Sequence, residues 1–167
     1  AKTDIANQYN VICVAPTFTA MPWYADHPTD PALQQESHFI KTVLPWVEAN
    51  YPVKPGPKGR LLLGFSKSGY GAVMLLFRHP ELFGKAVAWD APVDKTRPDQ
   101  FRMIDVFGTD AHFQHYAIDH LIAIRGAPFK VAPPRIFLMR KRNGDHPMEA
   151  TRDALKTAGI PHVYELT

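Results

Sequence analysis

Residues 60–71 read RLLLGFSKSGYG, and this stretch decides the fold. Its first half is a short apolar run of the kind that forms a strand buried on both faces, and the apolar stretch 69–79 that follows is typical of a helix packed on a sheet. Ser66 falls between them, with the small residues Gly64 and Ser68 two positions before and after it. Small residues let the backbone bend sharply, so the serine hydroxyl is held up at the edge of the sheet. The sequence therefore predicts a nucleophile elbow with Ser66 as the nucleophile.

The start of the helix after Ser66 suits a developing negative charge, because the helix dipole is positive at this end. The backbone N–H of Lys67 is the expected oxyanion donor. Ser68 stands where the common pattern has a second glycine, and it is an alternative nucleophile. In that register, however, Ser66 and Tyr70 would occupy the small-residue positions, which favours Ser66.

A turn without chemistry, such as a phosphate cradle, is another interpretation of the same residues. The phosphate motifs fail in detail, because a P-loop needs Lys and then Ser or Thr where this chain has Tyr70 and Gly71. A dinucleotide-binding turn needs a third glycine where this chain has Met74. A nucleotide-binding domain is therefore a disfavoured rival.

Further short apolar runs flank the elbow, and helical patterns alternate with them. The runs are 10–15 (NVICVA), 60–65 (RLLLGF), 86–89 (AVAW), 135–139 (RIFLM) and 162–166 (HVYEL). One helix is expected to begin at Asp30 and Pro31, with a kink at Pro45, and another to run from Asp145 to Gly159. Strands that alternate with helices predict an α/β fold with a mostly parallel sheet and right-handed crossovers.

The composition fits one globular domain over residues 1–167, with residues 92–134 as an insertion or cap-like segment over the carboxyl edge of the sheet. Hydrophobic residues make up 46% and charged residues 21% of the chain. The net charge of +3 is too small and too scattered to indicate nucleic-acid binding, and no apolar run reaches the length of a membrane span. The single cysteine excludes an internal disulfide and a multi-cysteine metal site. The oligomeric state is not set by these features.

Three stretches resemble the esterase D-like group of α/β-hydrolases, which includes S-formylglutathione hydrolases, feruloyl esterases and mycolyltransferases. They are 64–72 (GFSKSGYGA), 79–83 (HPELF) and 22–26 (PWYAD). The resemblance implies an α/β-hydrolase fold and a serine esterase that cleaves small carboxylic esters through an acyl-enzyme, without metal or organic cofactor. It also implies that Trp23 and Tyr24 wall the substrate pocket, although packing explains both residues equally well.

In the resembling family, a carboxylate that orients the base histidine follows the strand after the long segment 92–134. By this resemblance, Asp145 is the expected acid. The same residue would also serve as a helix N-cap. Asp90, at the end of the preceding strand, is the fallback for the acid.

The family's base histidine lies after the final strand, and this sequence ends at that strand. None of the histidines fits well as a substitute: His162 begins the last strand, about 15 Å from the catalytic edge, and His79 lies roughly 20 Å along a helix from Ser66. Loop histidines could approach if the loops fold over the site; these are His27, His112, His115 and His120. A zinc site from the last three is less expected still, because no positioned carboxylate or thiol completes it.

The first strands of the resembling fold are also missing. We therefore expect either an excerpt of a longer polypeptide or a sheet in which 10–15 pairs directly with 60–65. The main functional rivals are a non-catalytic binding protein of the same fold and a peptidase of the same fold.

Overall fold

A computed structural model describes residues 4–144 and 146–167, and its centre is a parallel sheet. The strands are β1 (Leu61–Phe65), β2 (Lys85–Trp89), β3 (Ile136–Arg140) and β4 (His162–Leu166), and they lie side by side in that order. Leu61 is in register with Lys85, and Ala86 is in register with Ile136. Four of the five predicted strands are thus confirmed, as is the parallel α/β architecture.

The helix after β1 forms the middle of the core. It is α4 (Lys67–Arg78), and every residue from Gly69 to Phe77 is buried. The helix packs on both β1 and β2. A helix that is apolar nearly all round is stable only when it is covered on most sides, which explains why this run is helical despite two glycines.

The helix expected to start at Pro31 begins four residues later, at Gln35, and it contains a π-helical turn. The segment consists of α2 (Gln35–His38), a π-helical turn (Phe39–Val43) and α3 (Leu44–Asn50). Asp30 caps a turn instead, because its carboxylate accepts from the N–H of Ala32 at 2.9 Å. The wide turn lies just before Pro45, which cannot donate a helical hydrogen bond. A π-helical turn thus precedes the proline at which the kink is expected, and the kink itself stays a prediction.

The predicted strand at residues 10–15 is wrong. The described chain begins with α1 (Ile5–Tyr9), and residues 11–15 form no strand and are all exposed. A strand exists only where a neighbour pairs its backbone groups, and 10–15 does not pair with β1 as one expectation had it. In the sheet that the structure describes, β1 is instead an edge strand with Leu61, Leu63 and Phe65 exposed at 62%, 75% and 51%.

Residues 92–134 hold three short α-helices and, after them, a 3-10 helical turn at Ala127–Phe129. The α-helices are α5 (Met103–Phe107), α6 (Asp110–Phe113) and α7 (Ile118–Arg125). Their apolar residues join the same buried cluster as α4, and Phe107 contacts Tyr70 with ring centroids 6.4 Å apart. The segment therefore packs onto the main core; its role as a cap stays a prediction.

The last helix, α8 (Glu149–Thr157), is capped from a distance. Its N-cap position is Met148, which has no side-chain capping bond of its own. The carboxylate of Asp94 accepts instead from the N–H groups of Ala150 (3.2 Å) and Thr151 (2.9 Å). This is a good site for an acid, because it satisfies N–H groups at the positive end of the helix dipole.

Within the described residues, no helix combines the length and the apolar character that crossing a bilayer requires.

Candidate active site

Ser66 occupies a strained turn between β1 and α4. Its backbone angles are φ 54° and ψ −123°, a conformation that residues with a side chain rarely adopt. Three backbone hydrogen bonds fix it: its N–H donates to Trp89 O at 3.0 Å, and its carbonyl accepts from Gly69 N at 2.9 Å and Tyr70 N at 3.2 Å. The side chain is partly exposed and forms no capping bond to the helix. The hydroxyl therefore does not cap the helix that follows it, although the turn that carries it is costly.

Gly64 makes this turn possible. A Cβ at Gly64 would overlap the backbone carbonyl of Ser68 and the Gly69 nitrogen. A Cβ at Gly69 would lie 2.7 Å from the Ala91 side chain and 2.9 Å from Gly64 O. Strand and helix therefore approach each other backbone to backbone, which only glycine permits here.

Ser68 is tolerated in place of the usual second glycine because its side chain points elsewhere. The close contact with Gly64 involves the backbone of Ser68, whereas its hydroxyl lies 3.3 Å from the hydroxyl of Tyr24. Tyr24 in turn covers α4 so closely that a Cβ at Gly71 would overlap its ring. The serine after the elbow thus fixes a neighbouring aromatic side chain.

Trp23 and Tyr24 have different environments. Trp23 is fully buried against Tyr70, with ring centroids 5.6 Å apart, and its indole N–H donates to Phe101 O at 3.1 Å. Tyr24 is partly exposed and has a left-handed φ of 59°. The amides of both residues donate to the side-chain oxygen of Gln35, at 3.0 and 2.8 Å. Trp23 therefore lies in the core, and only Tyr24 of the two reaches the protein surface. Contact with a substrate stays a prediction for both residues.

Lys67 places both its backbone and its side chain near the turn. As the first residue of α4, its N–H has no acceptor within the helix. Its ammonium lies 5.7 Å from the centroid of the Phe101 ring, and the imidazole of His146 lies 6.1 Å from the same ring. Phe101, half exposed and itself at a left-handed φ of 48°, thus brings together side chains of three segments, one of which, Lys67, directly follows Ser66 in the chain. No local pattern pointed to Phe101, because its position depends on how residues 92–134 fold back.

The two candidate acids can be compared only in part, because Asp145 lies outside the described residues. Asp90 directly follows β2, is 6% exposed and has a φ of 43°. Its N–H donates to Met139 O at 2.7 Å, and its carboxylate lies against the backbone of Gly144, where an added Cβ would be 2.7 Å from its Cγ. Its Oδ1 has no hydrogen-bond partner among the described residues.

Several histidines are engaged elsewhere in the structure. His27 Nδ1 accepts from the N–H of Asp30 at 2.9 Å, His112 Nε2 lies 2.8 Å from Asp26 O, and His162 Nδ1 lies 2.8 Å from Ile160 O. Within the ranges 4–144 and 146–167, no group of three or more His, Cys, Asp or Glu side chains is arranged to hold a metal ion.

His79 belongs to an ion network at the far end of α4, which surrounds the buried carboxylate of Glu36. Its Nε2 lies 2.7 Å from Glu36 Oε1, and the Arg78 guanidinium binds both oxygens of Glu36 at 2.6 and 2.8 Å. Burial raises the pKa of Glu36, but the hydrogen bonds and charges of His79 and Arg78 outweigh it and hold the pKa below its usual value. Desolvation opposes the charge of Arg78, yet Glu36 leaves the net pKa of Arg78 raised. The network ties α2 to α4 and is structural.

The chain belongs to the esterase family whose model is described as "Putative esterase", which matches residues 14–133. This confirms the family group to which the sequence resemblance pointed. No curated protein matches the chain.

Solved structures share the fold at low sequence identity. An S-formylglutathione hydrolase from Agrobacterium tumefaciens is 15% identical with a TM-score of 0.68, over 86% of this chain and 53% of its own. A ferulic acid esterase is 21% identical with a TM-score of 0.64, over 86% of this chain and 55% of its own. A fluorophosphonate-binding serine hydrolase from Staphylococcus aureus, in a substrate-bound structure, is 18% identical with a TM-score of 0.65, over 86% and 58%. The chain thus has the α/β-hydrolase fold, and it spans somewhat more than half the length of these structures.

Proposed function

We propose that the protein containing this chain is a serine hydrolase that cleaves carboxylic esters through an acyl-enzyme on Ser66. The observation that carries the proposal is the Ser66 backbone conformation, φ 54° and ψ −123°, at the junction of β1 and α4. A strained turn persists only where the surrounding structure enforces it, and such turns concentrate at functional sites. Membership in an esterase family supports the same reaction class.

The reaction follows from the position of the hydroxyl. Ser66 Oγ attacks the acyl carbon while a histidine base takes its proton, and the carbonyl oxygen becomes an oxyanion. The backbone N–H of Lys67, free of any helical acceptor, donates to this oxyanion at the positive end of α4. Return of the proton to the leaving alcohol completes acylation, and water then releases the acid by the same steps in reverse. A carboxylate orients the base, and Asp145 is the sequence prediction for it.

The substrate would lie between Tyr24 and Phe101. Tyr24 is anchored by Ser68 and by Gln35, and Phe101 stands over the Lys67 side chain. Together the two aromatic side chains would form an apolar wall, which suits an acyl or aryl group better than a charged one. Trp23 keeps this wall in place by holding the Phe101 carbonyl.

A non-catalytic binding protein of the same fold is the second candidate. The observation in its favour is that three histidines, His79, His112 and His162, bond to Glu36, Asp26 O and Ile160 O rather than to Ser66. A peptidase of the same fold is a variant of the first proposal, and comparison of aryl-ester with peptide turnover separates the two.

The test is covalent labelling of the full-length natural protein by a fluorophosphonate, which reacts only with an activated serine. Three forms are compared: the wild type, Ser66→Ala and Ser68→Ala. We expect labelling and ester turnover in the wild type and in Ser68→Ala, and neither in Ser66→Ala. Labelling that survives Ser66→Ala but not Ser68→Ala would move the nucleophile to Ser68. A folded wild-type protein that is not labelled and does not hydrolyse esters would contradict the hydrolase proposal and favour the non-catalytic binding protein.

A further inference from the structure

Two lysine ammonium groups lie near the chain neighbours of Ser66, and each is placed over an aromatic ring. The first belongs to Lys67, the residue after Ser66, and its Nζ lies 5.7 Å from the centroid of the Phe101 ring. The second belongs to Lys141, which directly follows β3, and its Nζ lies 5.5 Å from the centroid of the Phe65 ring. Phe65 is the residue before Ser66. The turn that carries the hydroxyl therefore has one cation on each side along the chain.

The rings that carry the two ammonium groups are open to solvent. Phe65 and Phe101 are 51% and 49% exposed, and Trp89, whose ring centroid lies 5.7 Å from Lys141 Nζ, is 42% exposed. An aromatic face attracts a cation through its quadrupole but carries no net charge, so the ammonium group keeps its charge. The flexible four-carbon stem of lysine lets the group move from the ring to an anion nearby. Both charges thus remain available to a bound ligand.

The two lysines differ from a neighbouring cation in lacking a carboxylate partner. Arg140, the last residue of β3, pairs with Glu149 at 3.3 Å. Lys67 and Lys141 take part in no ion pair within residues 4–144 and 146–167. Asp145 lies outside these ranges, and a single carboxylate can neutralise only one of the two ammonium groups. At least one positive charge is therefore left for a ligand.

Lys67 does not stabilise the helix that it begins. The first turn of α4 contains no acidic residue, and its N–H groups form the positive end of the helix dipole, where a cation is unfavourable. A lysine at this position therefore opposes the formation of α4. Its charge adds to the positive potential that the helix already directs at Ser66, and Lys141 contributes charge of the same sign from the end of β3. The combined field favours an anion beside the serine.

We propose that Lys67 and Lys141 select esters that carry a carboxylate, or a similar negative charge, near the scissile bond. The inference rests on the proposed function and narrows its substrate class. The apolar body of the substrate lies against Tyr24 and Phe101, and the lysine side chains bind its anionic end. The charge can belong to the acid or to the alcohol part of the ester, because one cation lies near each chain neighbour of Ser66.

Two matched pairs of aryl esters test the inference in the full-length natural protein. In the first pair the charge is on the alcohol, with para-acetoxybenzoate compared with the neutral para-acetoxybenzamide. In the second pair it is on the acid, with phenyl para-carboxybenzoate compared with phenyl para-carbamoylbenzoate. The amide has nearly the shape of the carboxylate, and the intrinsic reactivity of each ester cancels when a variant is compared with the wild type. The measured quantity is therefore the anionic-to-neutral ratio of kcat/KM.

Lys67→Gln and Lys141→Gln each remove one charge and leave the backbone N–H groups in place. We expect each variant to lower the ratio about fivefold in at least one pair, the upper end of what an ion pair at an exposed site contributes. The double variant should lower it about tenfold or more. Raising the ionic strength should lower the ratio of the wild type more than that of the double variant, because salt screens exposed charges.

Lys58→Gln is the matched control. It removes the same charge from an exposed residue in the 3-10 turn Pro57–Gly59, which precedes β1 and so lies at the opposite edge of the sheet from Ser66. Its ratio should stay within twofold of the wild type. A double variant whose ratio stays within twofold of the wild type for both pairs overturns the inference, as does an equal fall in Lys58→Gln.

Binding of terephthalate, measured by isothermal titration calorimetry, keeps the inference testable without ester turnover. The Kd should rise about fivefold or more in the double variant, and an unchanged Kd contradicts the inference. Failure of the proposed function gives a different result, because Ser66→Ala would then retain labelling and turnover.

Discussion

Replacing Gly64 with alanine should damage the elbow and the chemistry together. The new Cβ would overlap the Ser68 carbonyl and the Gly69 nitrogen, which are backbone atoms and cannot rotate away as a side chain could. The nearest of these atoms lie 2.1 Å from the new Cβ and ordinary van der Waals contact begins at 3.4 Å, so the start of α4 would have to retreat by about 1.3 Å. Overpacking of this kind costs about 1 to 3 kcal/mol, and we expect the upper end because backbone must move.

The displacement also carries Ser66 and the Lys67 N–H away from their positions. A misplacement of about 1 Å in a catalytic group can lower the rate roughly 10²-fold. The assay therefore measures two quantities for Gly64→Ala in the full-length protein: the free energy of unfolding by denaturant titration and the second-order rate constant for fluorophosphonate labelling.

Gly159→Ala is the matched control for this substitution. Gly159 has a φ of 70° with nothing within 4 Å of the added Cβ, so alanine there is penalised by backbone conformation alone, about 1 to 2 kcal/mol. Labelling at the wild-type rate is expected for the control. If Gly64→Ala labels as fast as Gly159→Ala and is no less stable, the close approach of strand and helix is not what holds Ser66 in place.

Three other substitutions test the supporting structure. Glu36→Gln should lower the free energy of unfolding at neutral pH by roughly 3 kcal/mol, because it leaves the Arg78 guanidinium without its charged partner. Folding lowers the pKa of Glu36, so the ionised carboxylate contributes its full stabilisation above the unfolded pKa of about 4.3. This stabilisation is lost as the pH falls through the folded pKa. Denaturant titrations between neutral pH and pH 3 should therefore show a steeper fall in the free energy of unfolding for the wild type than for Glu36→Gln. Trp23→Phe removes the donor to Phe101 O and should cost about 1 to 3 kcal/mol in thermal unfolding, whereas an unchanged melting temperature would show that this bond is dispensable. Asp94→Asn should cost about 1 kcal/mol, with helix loss by circular dichroism at lower denaturant, and an unchanged midpoint would argue against capping.

Local sequence patterns were sufficient for the parts of the fold in which neighbours in sequence decide the structure. The strand, turn and helix around Ser66 follow from an apolar run, small residues and a second apolar run, and each signal lies within a few positions of the next. The same pattern failed at residues 10–15, where the short apolar run is present but no strand of the described sheet pairs with the segment. A strand depends on a partner that its own residues do not reveal.

The missed residues of the site act through contacts between distant segments. The side-chain oxygen of Gln35 accepts from the backbone N–H groups of Trp23 and Tyr24, which precede it by 12 and 11 positions. The Phe101 carbonyl accepts from the indole N–H of Trp23, 78 positions away. Asp94 caps a helix that begins more than fifty positions later. Such partners become visible only when segments far apart in the sequence are folded against one another. The helix that begins at Gln35 rather than Pro31 shows the usual uncertainty of helix ends, because Asp30 and Pro31 suit a turn as well as a cap.

The central claim is that Ser66 carries the acyl group during turnover. The most direct measurement is acid quench of the full-length protein during steady-state hydrolysis of an aryl ester, followed by peptide mapping with mass spectrometry. The account predicts an added acyl mass on the peptide that contains Ser66, with fragment ions that place it on this side chain. An acyl group found on Ser68 or on another residue, or turnover that continues at the wild-type rate in Ser66→Ala, would contradict it.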